Sequence, residues 1–371
     1  MYKMKISFLF LSLVLASSCA KLMNYKPEGV KETKEVFSPS WIKNLDPVYE
    51  TGNLPISLGS PLIHDGIVYA GNNNGAMEAY NLENGRLLWS EPIKDGFQSA
   101  PIVYENLLIY GDVSGRVYAK DIVSGEFKYQ FDLGSSVDST LTVKKGRLFI
   151  HTRNHKIFSI DALTGKVLWS YKRSIPFFST LQRTSNPLIV ENRVYVGFAD
   201  GFLLAFSLEE GQVVWEKKMS TADKFVDVDM SPTYFRGKLI VSSINGQAEV
   251  IDPQSGALHK RLPFTTNRDA YFLGNSVVFG TIDGKLVVVD SSFNVEREIK
   301  VSSLSISSMS SWKNGYVITT VGKELIYLDQ SFNTISKYDL GSVHSAVFGI
   351  VSVEDDHLAM MSSRNRLYLF K

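Results

Sequence analysis

This sequence predicts an all-β fold, an eight-bladed β-propeller of four-stranded antiparallel blades whose ring is closed by an N-terminal strand. Three observations lead there. A unit of about 40 to 45 residues recurs along most of the chain, the period of a propeller blade. Every unit holds short runs rich in Val, Ile, Leu, Tyr and Phe, parted by turn residues and without a 3.6-residue helical period. The two ends also complement each other, because the last copy lacks a fourth strand and a stray strand precedes the first copy.

The chain begins with a leader. Lys3 and Lys5 form a basic start, and Ile6 to Leu15 form an apolar run of signal-peptide length, too short to span a bilayer. Ala16-Ser17-Ser18-Cys19 follows and resembles a bacterial lipobox, in which Cys19 becomes the lipidated first residue; an ordinary cleaved signal is the alternative. Ala20 in the next position, by resemblance to the sorting rule of enteric bacteria, favours the outer membrane. Residues 1–18 are therefore expected to be a lipoprotein signal, 19–38 a lipidated Cys with a mixed-charge flexible tether, and 39–371 a single propeller domain.

The repeats follow in order. Full copies run from Ser60 to Trp89, Ala100 to Gln130, Ser139 to Ser170, Asn186 to Glu216 and Ser231 to Arg261. Divergent copies start near Asp269 and Met309, and an eighth starts near Ser345. The turn between second and third strands carries pairs such as Asn74-Gly75, Asp200-Gly201 and Asp283-Gly284, suited to tight hairpins. The turn between third and fourth strands carries Gly85, Gly125, Gly165, Gly211 and Gly256. Phe293-Asn294 and Phe332-Asn333 replace that glycine in the sixth and seventh copies, where the asparagine is expected to take the left-handed conformation. Ser40-Trp41-Ile42-Lys43 resembles the fourth-strand endings at Trp89, Trp169 and Trp215. Residues around 39–45 therefore complete the last blade, which removes an exposed sheet edge. A seven-bladed ring is the alternative, since the last three copies are degenerate.

Composition limits the chemistry. The formal charge is +1 with scattered Lys and Arg, which argues against a nucleic-acid partner. No apolar run of 18 residues follows the leader. Cys19 is the sole cysteine, so no structural disulfide and no cysteine nucleophile is expected. Stretches such as Asp161–Ser170 also occur in enzymes that dock pyrroloquinoline quinone. Those enzymes use a calcium ion, an aspartate base and often a vicinal disulfide. Here Trp89, Trp169 and Trp215 are expected to pack over the turn of a neighbouring blade, and no cofactor and no metal site is expected. His151 and His155 are read as exposed turn histidines, and Asp355-Asp356 as a solvated loop. Ser139-Thr140 and the serine-rich run 302–311 carry no nucleophile-elbow pattern.

Lipobox, tether and eight divergent repeats together resemble the BamB family, the propeller lipoproteins of the β-barrel assembly machinery in Gram-negative outer membranes. In that family a Leu-Arg-Gly-x-Ser-x-Pro run before the fourth blade contributes to docking on BamA. Here it corresponds to 181–187, where Leu181, Ser185 and Pro187 match; the docking arginine falls on Gln182, with Arg183 one place later. A second family stretch, Asp-Val-Asp and then Pro, is present at Asp227, Val228, Asp229 and Pro232. Asp227 and Asp229, two apart on an extended segment, are expected to face outward together. The two loops precede adjacent blades and are expected to form one patch, with Phe177 and Phe178 as apolar neighbours. The other reading of the two carboxylates is that they solvate a loop and cap its turns.

The resemblance implies a non-enzymatic scaffold, lipid-anchored in the outer membrane and facing the periplasm. Leu181, Gln182, Arg183, Asp227 and Asp229 would bind a periplasmic domain of BamA. Other subunits of the complex and nascent outer-membrane proteins are further expected partners. Two alternatives stand beside it: a periplasmic quinoprotein dehydrogenase, and a propeller lipoprotein that binds polysaccharide or senses a ligand through its central channel, with Phe97 and Phe225 on the surrounding loops.

Overall fold

Burial along the strands shows how a repeat becomes a blade. In the second copy Leu107–Gly111 is buried at every position, whereas Phe127–Asp132 alternates between exposed and half-buried. The first kind of strand has neighbours on both faces, and the second is a sheet edge on the outside of the ring. The computed structural model describes residues 36–46, 59–175, 184–220, 222, 225–266, 268–341 and 345–371. Among them every regular element is a strand, and the unit Phe37–Lys371 is an eight-bladed propeller.

Each of the first seven blades is a four-stranded antiparallel meander in sequence order, spanning residues 62–92, 102–132, 142–172, 188–218, 233–261, 271–300 and 306–339. The eighth takes three strands from residues 352–370 and its outer strand from Pro39–Asn44, with Trp41 paired to Leu369 and Lys43 to Leu367. The closing strand expected from the sequence is thus in place. A shift of register recurs between third and fourth strands in the first seven blades, for example at Ala79/Tyr80 and Ser159/Ile160. Such a bulge adds local twist, which fans each blade outward.

The core is distributed over the seams between blades. One apolar cluster joins Leu107 and Val117 of the second blade to Leu148 and Ile160 of the third, and another joins Val68 and Tyr80 of the first to Ala359 and Leu369 of the eighth. The seam between seventh and eighth blades is aromatic: Phe37 stacks on Trp312 at 5.5 Å and meets Phe370 edge-on at 5.6 Å.

The tryptophans act as expected at several seams. Trp169 Nε1 donates to Leu208 O (3.0 Å) and its ring covers Gly211; Trp215 Nε1 donates to Pro253 O (3.1 Å) and covers Gly256; Trp41 Nε1 donates to Leu82 O (2.8 Å) and covers Gly85. Tyr129 does the same at Ala162 and Gly165. Trp89 departs from the series, since Lys120 lies over its ring at 4.7 Å and pairs with Glu91 at 2.7 Å.

The left-handed turn residue in the sixth and seventh blades is not the asparagine expected from the sequence. Phe293 (φ 60°) and Phe332 (φ 67°) take that conformation. Their rings are buried, Phe293 edge-on to Phe235 at 6.0 Å and Phe332 stacked on Tyr316 at 5.2 Å, and this packing offsets the backbone strain. The preceding blades place Lys260 and Arg297 where others place tryptophan: Lys260 Nζ donates to Asn294 Oδ1 (2.7 Å) and Arg297 lies over Phe332 at 4.9 Å. Ring and socket have exchanged sides of the seam.

Candidate docking face and central channel

In a meander, the connections between blades and the turns between second and third strands emerge on the same face. The longest of the connections between consecutive full blades are residues 173–187 and 219–232, which carry the two stretches singled out from the sequence. Leu181, Gln182 and Arg183, with Phe177 and Phe178, lie outside the described residues, as does Cys19. The remainder of the first loop is well anchored. Asn186 Oδ1 accepts from Thr140 N at 2.7 Å, and Ser185 Oγ donates to Met230 O of the second loop at 3.1 Å. The two loops are therefore joined directly. Arg173, where the first loop leaves the third blade, pairs with Asp200 at 2.5 Å and with Glu216 at 2.8 Å.

The second loop corrects the expected alternation. Val226, Asp227 and Val228 are all buried, and Asp227 does not face outward. The reason is a close approach between the fourth and fifth blades. Val228 N donates to Phe198 O (3.1 Å), its side chain fills the space a Cβ on Gly197 would need, and Asp227 O accepts from Ile244 N (3.0 Å). The segment sits in a cleft with protein on both sides, so residues two apart do not share an open face. Asp229 is half-buried and reaches the wall of the central channel, while Phe225 (φ 53°) stands exposed at the rim with Asn245 Nδ2 on its carbonyl at 2.8 Å.

The same close approach recurs around the ring, and it corrects a second expectation. Phe97 does not stand free on a loop; it is buried against Gly71 and edge-on to Tyr110 at 5.7 Å. Gly111 meets Val137, and Gly280 meets Ile306, in the equivalent way. A glycine ending the second strand recurs at 71, 111, 197 and 280, and that recurrence is the signal the sequence offered for these plugs.

At that place in the third blade stands His151, which is fully buried rather than exposed in a turn; it ends the strand Arg147–His151. Its Nδ1 lies 3.0 Å from Ser185 O and its ring 5.0 Å from Phe198. Burial pushes its pKa down to about 4, against the hydrogen bond to Ser185. His155 is buried as well, at φ 61° in the following turn, and burial lowers its pKa. Asp355 and Asp356 are exposed in their turn, as read from the sequence.

The channel is a cavity of about 650 Å³ lined by residues from all eight blades. Asp138 pairs with Arg153 at 2.6 Å, and Arg153 Nη2 donates to Gln98 Oε1 at 3.1 Å. Asp269 opens to the channel yet has protein around it on all sides. That burial pushes its carboxyl up, against hydrogen bonds from Ser231 and Asn186 and the charge of Arg268. Among the described residues three wall carboxylates, Asp138, Asp229 and Asp269, face two guanidiniums, Arg153 and Arg268. Among the described residues no group of three or more His, Cys, Asp or Glu is placed to hold a metal ion. This donor set does not fit an acidic quinone bound through calcium.

Comparison with known proteins bears on both features. The family model described as outer membrane protein assembly factor BamB matches residues 101–292, more than half of the chain. An outer membrane protein assembly factor BamB of Kangiella koreensis is 29% identical over 128 residues, covering 33% of each chain. The chain thus aligns with about a third of that relative's length. The crystal structure of BamB from Moraxella catarrhalis superposes with a TM-score of 0.74 at 17% identity, covering 90% of this chain and 99% of that one. A quinohemoprotein alcohol dehydrogenase of Pseudomonas putida superposes with a TM-score of 0.67 at 12% identity, over 91% of this chain and 76% of that one. At these identities the two structures speak for the fold alone.

Proposed function

The chain belongs to the BamB family of outer membrane protein assembly factors, and from that premise we propose that it is a non-enzymatic scaffold lipoprotein docking on BamA. The observation that carries the reading is the bond from Ser185 Oγ to Met230 O, which joins the connections before the fourth and fifth blades on one face. The described ends of the two loops are tied to one another and to the blades beneath them, and such anchoring lowers the cost of association. Leu181 and Gln182 or Arg183 supply the apolar and polar contacts of that surface. Asp229 frames its inner margin, and Asp227 acts from below by fixing the loop.

The remaining parts of the proposal follow from the leader and the family. The lipid on Cys19 holds the propeller at the periplasmic side of the outer membrane, residues 19–38 act as tether, and other subunits and nascent outer-membrane proteins are handled by the assembled machine. A quinoprotein dehydrogenase is the second reading, and the described residues offer it no group of three or more side chains placed to hold a calcium ion.

Capture of the tagged protein from detergent-solubilised envelopes tests the proposal. BamA is expected to co-purify with the unaltered chain and to fall at least about tenfold with Leu181→Glu, a buried-contact loss of about 1.4 kcal/mol or more. Asp229→Ala is expected to weaken capture less, and Asp227→Ala to weaken it through lower stability of the loop. Absence of BamA from the unaltered capture overturns the docking role; an undiminished yield with Leu181→Glu overturns the site.

A further inference from the structure

We propose that the central channel is a binding site for a short neutral oligosaccharide. This inference is independent of the docking proposal and concerns a different part of the same face. Its size falls in the range of small-molecule sites, and every blade contributes to its wall.

The wall's chemistry selects the ligand. Ser60, Gln98, Thr140, Asn186, Ser231 and Ser308 bring a hydroxyl or an amide from six different blades to one space, and those of Ser60, Gln98, Asn186, Ser231 and Ser308 that already bond within the protein keep donor or acceptor capacity beyond that bond. Such groups both donate and accept, as the vicinal hydroxyls of a sugar do. Among the described residues the wall carries one carboxylate more than it has guanidiniums: Arg153 is held by Asp138, Asp269 is held by Ser231 and Asn186 beside Arg268, and Asp229 is the excess. A wall with a single charge in excess creates little field to draw in a polyanion or a polycation, while its fixed carboxylates and guanidinium forks remain able to bond neutral hydroxyls.

The wall is also asymmetric. Met309, Phe348 and Ile350 come together from the seventh and eighth blades, and Ile350 is 43% exposed within the channel. An exposed aliphatic and a half-buried phenyl ring bordered by polar groups match a sugar, whose ring has a polar rim and an apolar C–H face. The backbone here is held across the ring closure, since Ile350 N donates to Ser60 Oγ at 2.7 Å and Ile63 N to Ser352 Oγ at 2.9 Å. The apolar flank is thus fixed relative to the first blade.

Isothermal titration of the full chain in detergent, with chitotriose and maltotriose as probes and trigalacturonate and spermidine as charged counter-probes, tests this. At least one neutral trisaccharide is expected to bind with a 1:1 stoichiometry. Ala270→Trp, which fills open channel without removing a polar partner, and Phe348→Ala, which removes the apolar platform, are each expected to weaken it at least about tenfold. Thermal melts of both variants show whether they fold, and a fold-intact variant alone is read. Failure of both neutral probes to bind the unaltered chain overturns the proposal. Tighter binding of trigalacturonate or spermidine overturns the ligand class, and binding unchanged in a folded variant overturns the site.

Discussion

Gly211→Ala should destabilise the protein much more than Gly125→Ala, although the two glycines occupy equivalent turns. Both have left-handed backbones, φ +69° and +74°, so an alanine carries the same backbone strain of about 1–2 kcal/mol at each. The surroundings differ. A Cβ on Gly211 runs into the Trp169 ring, whereas the nearest atom to a Cβ on Gly125 is Lys120 Cε at 3.9 Å. Trp169 is 8% exposed and donates to Leu208 O, so displacing it costs that bond, about 1 kcal/mol, and strains a packed seam by about 1–3 kcal/mol. The expected gap between the two variants is about 2–4 kcal/mol. Urea unfolding followed by tryptophan emission measures it, with Gly211→Ala also shifting the native emission to the red as Trp169 meets water. Equal midpoints and unchanged native emission would refute the view that tryptophan-on-glycine contacts hold the seams.

Other outcomes follow from the same structure. His151 has a folded pKa of about 4 against 6.5 unfolded, so the unfolded chain binds its proton first as pH falls. The stability owed to the neutral ring is whole above pH 6.5 and is lost progressively down to pH 4, by about 3 kcal/mol; urea midpoints at pH 7 and 4.5 should differ more in wild type than in His151→Gln. Phe293→Gly relieves a left-handed residue yet should lower stability by about 2–4 kcal/mol in thermal or urea unfolding, because the buried ring contributes more than the strain costs. Trp41→Ala should cost about 2 kcal/mol and raise proteolysis near the N-terminal strand, since it removes the bond to Leu82 and loosens the closing strand.

The two long connections were legible in their position, and the orientation of their residues less so. The repeat placed 181–187 and 227–232 in equivalent connections, and Ser185 does reach Met230. The alternation rule then failed at Asp227, because it assumes one open face and the cleft between blades has none. His151 and Phe97 were misread for a related reason: a short polar-looking turn says nothing about which blade leans over it. The glycine recurring at 71, 111, 197 and 280 carried that information in four blades, and His151 stands at its place in the third.

The sequence by itself determined the architecture. Strand length, turn chemistry and period are local properties, and a missing fourth strand paired with a spare first one requires closure. The tertiary structure alone decided what faces water, which seams are sealed by tryptophan or by phenylalanine, and that six blades pool hydroxyls and amides in one channel. Those outcomes depend on contacts between blades tens of residues apart, and a local pattern such as the recurring glycine marks a close approach without naming the side chain that makes it.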